Sequence, residues 1–162
     1  MTAGEGFLRN QLASQIMGGN AFIKIENILQ TINFEQLGRQ VFGLPYSFWQ
    51  QFEHMRITQK DILDFSLKAK YHPLNWPADY WPAHIEPNSS DRWEQSQKKF
   101  FADREEFLDL LLDPKNDLDT PLHLGQTQTL FREALLILEH NAYHTGQLMV
   151  ISRLLKEKEE RV

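Results

Sequence analysis

Apolar residues recur at intervals of three and four along most of the chain, the spacing of one face of an α-helix. This pattern predicts a first helix over residues 6–17, ended by Gly18 and Gly19, and a short helical turn at about 24–32. No segment shows the strict alternation of apolar and polar residues that indicates a β-strand. The regular structure is therefore predicted to be helical throughout.

Three further long helices follow from the same spacing. The second begins beyond a proline, with Ser47 as its N-cap, and runs to about Ala69. The third is capped by one of residues 89–91 and ends at Leu112, and the last covers about 127–157. Four long helices without an internal repeat predict an all-α four-helix bundle of the up-and-down type, with crossover connections at its two long loops.

Those two loops differ in composition. Residues 113–126 are mainly polar, whereas residues 71–87 contain four prolines and the aromatic cluster Trp76, Tyr80 and Trp81. The aromatic side chains have two interpretations. They either roof a pocket and bind the apolar part of a substrate, or anchor the loop on one end of the bundle.

Length and charge limit the class of protein. The 162 residues predict one domain over 1–162, and 41% hydrophobic with 24% charged residues is typical of a globular protein. A net charge of −5 provides no broad basic surface, which argues against nucleic acid as a partner. No apolar stretch is long enough to span a membrane and no signal core is present, so we expect a cytoplasmic protein without membrane attachment.

The chain contains no cysteine, so any metal chemistry must depend on histidine and carboxylate side chains. His140 and His144 are four residues apart on the last predicted helix. Residues at this spacing lie one above the other on the same face, with Cβ atoms roughly 5–6 Å apart. Two imidazoles so placed can bind one divalent ion, and this pair is the first candidate site.

Polar residues accompany the histidines on faces expected to be buried. Glu133 and Gln147 share the face of the His140 and His144 pair, and on the second helix His54 shares a stripe with Asp61. A buried polar group without a partner costs about 1–3 kcal/mol. A metal ion held between the two helices would supply such partners.

These segments resemble the DinB-like (damage-inducible) family from about residue 8 to 156. The resemblance rests on residues 132–136 with 140–147, on Trp49 with residues 53–65, and on the loop 76–82. It implies a four-helix bundle in which three histidines hold a divalent metal, one from the second helix and two from the fourth. Matched by motif, these ligands are His54, His140 and His144.

Three neutral imidazoles leave a coordination position for water or substrate, as in catalytic metal sites. An open divalent ion can lower the pKa of bound water toward about 7, polarise a carbonyl or deprotonate a thiol. Zinc and nickel are the first choices, and imidazole also suits iron and copper. Hydrolysis and thiol transfer are therefore both possible. The resemblance implies the same two reactions, because characterised relatives include metal-dependent enzymes that use low-molecular-weight thiols such as bacillithiol or mycothiol.

We therefore predict a metal-dependent hydrolase or thiol S-transferase acting on a small-molecule substrate. Glu133, Asp61 and Gln147 are candidates to orient a histidine N–H or transfer a proton, or they form a salt bridge or a core hydrogen bond. The alternative function is a non-catalytic, stress-associated module in which the ion clamps two helices. A homodimer is expected because symmetric dimers are the commonest oligomers, but the sequence does not identify its surface.

Overall fold

The computed structural model describes residues 3–41, 43–67, 70–123 and 125–159. In these ranges the α-helices are α1 (Ala3–Met17), α2 (Ile25–Leu29), α3 (Phe48–Leu67), α4 (Ser90–Leu112) and α5 (Leu130–Glu159). Short 3₁₀ helices cover Phe34–Gln36 and Ala78–Tyr80, and the described extended structure is one isolated bridge between Pro121 and Thr129. The predicted all-α class is confirmed. In the described ranges, every helix is too short or too polar to cross a membrane.

Local signals set the helix ends. Gly18 and Gly19 follow α1 with φ angles of +71° and +83°, a backbone conformation that favours glycine. The Ser47 and Ser89 hydroxyls each accept a hydrogen bond from the backbone N–H three residues later, at 3.1 Å and 3.2 Å. Ala69, the predicted end of the second long helix, lies outside the described residues.

The four long helices form a bundle in which α3 and α1 each pack against both α4 and α5. α1 and α3 therefore lie on one diagonal, and α4 and α5 on the other. The connections 18–47 and 113–129 span these diagonals. The aromatic loop instead joins α3 to its neighbour α4, so the crossover expected there is wrong. This loop folds back onto α3 through the 3₁₀ helix Ala78–Tyr80.

Two apolar clusters fill the bundle. In one, Phe52 on α3 packs with residues including Leu148 on α5, and in the other Leu63 packs with Ile137. Each fully buried side chain of this size contributes about 1.5–3 kcal/mol. Along both helices a polar layer separates the clusters, and it contains His140 and His144 on α5. The candidate site thus lies between two hydrophobic regions that hold α3 and α5 together.

Candidate metal centre

Three histidine side chains converge between α3 and α5. His54 extends from α3, and His140 and His144 extend from successive turns of α5. One ring nitrogen from each lies within 4.8 Å of those from the other two, and the ring centroids are 4.4–5.1 Å apart. The Nε2 atoms of His54 and His140 are 3.2 Å apart. The structure thus brings together the three histidines that the family motif indicated.

All three imidazoles favour the neutral form. Burial lowers the pKa of His140 to about 3, with further lowering by the neighbouring His144 and His54. Burial also lowers the pKa of His144 to about 4, despite its hydrogen bond with Gln147, and lowers that of His54. Neutral rings at pH 7 have an unprotonated nitrogen available as a metal ligand.

A backbone carbonyl on the aromatic loop orients the ring of His54. Nδ1 of His54 donates to the carbonyl oxygen of Tyr80 at 2.9 Å. In a neutral ring this leaves Nε2, which faces His140, without a proton. Metal-binding histidines usually donate their other N–H to a carbonyl or carboxylate in this way.

Asp61 is connected to His54 through Tyr80. Its carboxylate accepts hydrogen bonds from the hydroxyls of Tyr80 and Tyr71, both at 2.6 Å. Burial and the bond to Asp61 raise the pKa of Tyr80 to about 12, so both hydroxyls remain protonated donors at neutral pH. Asp61 was a candidate to contact a histidine N–H directly. Instead it anchors the loop that supplies the Tyr80 carbonyl.

Two amide side chains meet the ring of His144. Nδ1 of His144 lies 2.7 Å from Oε1 of Gln147, the candidate identified on the shared helix face. The side-chain amide of Gln51, which is fully buried on α3, contacts the same nitrogen. Sequence reasoning missed Gln51. Its available signal was a polar residue three positions before His54, on the same side of the helix.

Glu133 is not brought to the histidines. Its buried carboxylate accepts a hydrogen bond from Arg132 at 2.7 Å. Burial raises its pKa despite Arg132, and the charge of Asp61 adds to the increase. Glu133 precedes His140 by seven residues, which is about 10 Å along a helix. The two share a face, but they are too far apart for the expected contact.

The aromatic loop covers His54 on one side. The indole of Trp81 stacks on the imidazole, with 4.0 Å between centroids and 1° between planes, and it also stacks on Tyr46 at 5.6 Å. Trp76 is 73% exposed and packs against the ring of Tyr80. Of the three aromatic candidates, Tyr80 and Trp81 adjoin the histidines, and Trp76 lies farther out on the loop.

The donor set fits a divalent metal ion. Glu53, next to His54 in the chain, is engaged by Arg56, Arg92 and Ser96. Burial acts to raise its pKa, but the bonds from Arg56 and Ser96 and the positive charges of the two arginines lower it overall. The described cluster therefore consists of imidazoles alone. Two nitrogen ligands of a tetrahedral zinc ion, each at 2.0–2.1 Å, would be roughly 3.3 Å apart. The Nε2 atoms of His54 and His140 are 3.2 Å apart, which is close to this value.

Fold and site together define an all-α bundle protein with a three-histidine cluster that could bind a divalent metal ion. The model of the DinB superfamily matches residues 24–148, and the chain belongs to this superfamily. The matched range contains all three histidines. A comparison with curated proteins gives no match, and neither does a comparison with solved structures.

Proposed function

We propose that this protein is a divalent-metal-dependent enzyme, either a hydrolase or a low-molecular-weight-thiol S-transferase. His54, His140 and His144 would be the metal ligands. The observation that carries the proposal is the convergence of three neutral imidazoles in a cluster without a carboxylate. Structural zinc sites normally take four protein ligands, whereas catalytic sites take three and keep one position open.

A bound ion would act as a Lewis acid toward a carbonyl, water or a thiol. The protein holds the imidazoles in place for it. The Tyr80 carbonyl orients His54, and Gln147 and Gln51 contact Nδ1 of His144. Zinc or nickel suits this donor set best, and iron and copper are the alternatives.

The aromatic loop is the proposed contact for the body of a small-molecule substrate. Trp81 is partly exposed beside His54, and its indole offers an apolar surface next to the histidines. Asp61 and Glu133 are both held by other side chains. We therefore assign neither of them a proton-transfer role.

The test starts from protein purified without a metal-affinity tag and analysed for bound metal. The metal-replete protein is then assayed for ester and amide hydrolysis, and for transfer of bacillithiol or mycothiol to a chromogenic electrophile. We expect turnover that is lost in His140→Ala and kept in His72→Ala, whose histidine is exposed on the loop. Full metal content without turnover in either class would favour the non-catalytic, metal-stabilised module.

A further inference from the structure

The outer face of α5 carries four residues with large exposed apolar side chains. The outer stripe of α5 consists of Leu135, Glu139, Tyr143, Gly146, Val150 and Leu154. Its four large apolar side chains are 39–64% exposed. Single exposed apolar residues are ordinary on a protein surface, but several on one helix face are typical of an interaction site.

The outer stripe is symmetric along the helix. Its midpoint lies between residues 144 and 145, and its positions pair as 135 with 154, 139 with 150, and 143 with 146. A two-fold axis through that midpoint makes two copies of α5 antiparallel and brings each position opposite its pair. Leucine then meets leucine at both ends of the contact. Self-complementarity of this kind is what a two-fold dimer interface requires.

Gly146 and Tyr143 provide complementary shapes at the centre of the outer stripe. Apart from its own stretch of helix, a Cβ atom added to Gly146 would meet no atom of the described residues within 4 Å, so the helix surface is open there. Tyr143 is 64% exposed. Glycine inside a helix costs about 1 kcal/mol relative to alanine, and no close approach by the described part of the chain explains it here. A tyrosine ring from a second copy would fill this depression as the helices approach along their i, i+4 rows.

Charge is also complementary in this arrangement. Glu139 and Arg153 are both exposed on α5. In the antiparallel pairing, Glu139 lies opposite Val150 of the second copy, within one helical turn of that copy's Arg153. The two-fold axis creates this pairing twice, at the two edges of the contact.

We propose that the outer stripe of α5 binds the same stripe of a second copy of this chain, antiparallel, to form a two-fold homodimer. His140 and His144 lie on the adjoining face of α5, and the ring of Tyr143 lies 4.8 Å from that of His144. The dimer therefore covers the outer side of the histidine cluster. This arrangement does not depend on metal binding or on catalysis.

The test is the oligomeric state of the full chain, measured by sedimentation velocity from about 1 to about 100 μM. We expect a dimer whose dissociation constant rises at least about tenfold in Val150→Asp and in Gly146→Leu. Both side chains would face solvent in the monomer, and far-UV circular dichroism verifies that the variants fold. The matched control is Phe7→Asp on α1, where an apolar residue 67% exposed lies outside the outer stripe. It should leave the dissociation constant unchanged.

Charge reversal tests the antiparallel register. Glu139→Arg should weaken the dimer, and adding Arg153→Glu should restore it. A wild-type chain that is monomeric at about 100 μM would overturn the proposal. A dimer unaffected by both Val150→Asp and Gly146→Leu would also overturn it, because the interface would then lie elsewhere.

Discussion

The indole of Trp81 lies parallel to the imidazole of His54, with ring centroids 4.0 Å apart and an angle of 1° between the ring planes. The residue before it, Tyr80, accepts a hydrogen bond from the same imidazole through its carbonyl. Two adjacent loop residues thus hold the only α3 histidine of the cluster in the described structure. The loop is part of the site as well as a connection between helices.

Trp81→Ala should alter substrate binding more than metal content. The variant removes the apolar surface beside His54 and leaves the three imidazoles and the Tyr80 carbonyl in place. We expect near-normal metal content and a large change in the Michaelis constant for the substrate found in the activity screen. Trp76→Ala is the matched control, because Trp76 is exposed on the same loop and packs on Tyr80. An equal effect of the two variants would contradict a specific role for Trp81.

Tyr80→Phe and Tyr71→Phe each remove a hydroxyl that donates to Asp61 at 2.6 Å. A hydrogen bond to a charged group contributes about 1.5–3 kcal/mol, so both variants should lower the free energy of unfolding, measured in urea. Only Tyr80→Phe should also weaken metal binding. Its hydroxyl anchors the residue whose backbone carbonyl orients His54. An unchanged metal affinity of Tyr80→Phe in calorimetry would show that its bond to Asp61 acts on stability alone.

Removing the metal should lower the melting temperature without unfolding the bundle. An ion at 100 times its dissociation constant, bound only by the folded state, adds about 2.7 kcal/mol. For a domain of this size that corresponds to roughly 5–10 °C. The two apolar clusters remain, so helical circular dichroism should persist below the transition. An unchanged melting temperature after verified chelation would contradict an ion bridging α3 and α5.

The metal-free protein should lose stability in mild acid. The pKa of His140 is about 3 and that of His144 about 4 in the folded state, below the ordinary value of 6.5. As the pH falls below 6.5, the unfolded chain therefore binds protons that the folded chain does not, and the free energy of unfolding decreases toward pH 4. Urea denaturation at several pH values measures this slope. His140→Gln should reduce it, and an identical slope in this variant would contradict burial of a neutral His140.

The spacing of apolar residues was enough to predict the helices, and the four-residue interval was enough to place His140 and His144 on one face. His54 needed the family motif as well, because its position across from α5 depends on how the helices pack. Gln51 and the Tyr80 carbonyl were missed for a related reason. A backbone carbonyl has no sequence signal, and the contact of Gln51 with His144 depends on the separation of two helices.

Glu133 illustrates the limit of face-based reasoning. It shares a helix face with His140, but a shared face does not specify distance along the axis. Its partner in the structure is the adjacent Arg132, which periodicity does not indicate. The crossover predicted for the aromatic loop was wrong for a related reason, because loop length does not determine which helices become neighbours.

Zinc titration of single histidine variants, followed by calorimetry and by metal analysis of the purified proteins, tests the central claim most directly. His54→Ala, His140→Ala and His144→Ala each remove one of the three imidazoles of the cluster, so each should lose most of its bound metal. His72→Ala, which removes an exposed loop histidine, should bind metal as the wild type does. Full occupancy in any of the first three variants would remove that residue from the site, and full occupancy in all three would contradict the metal centre itself.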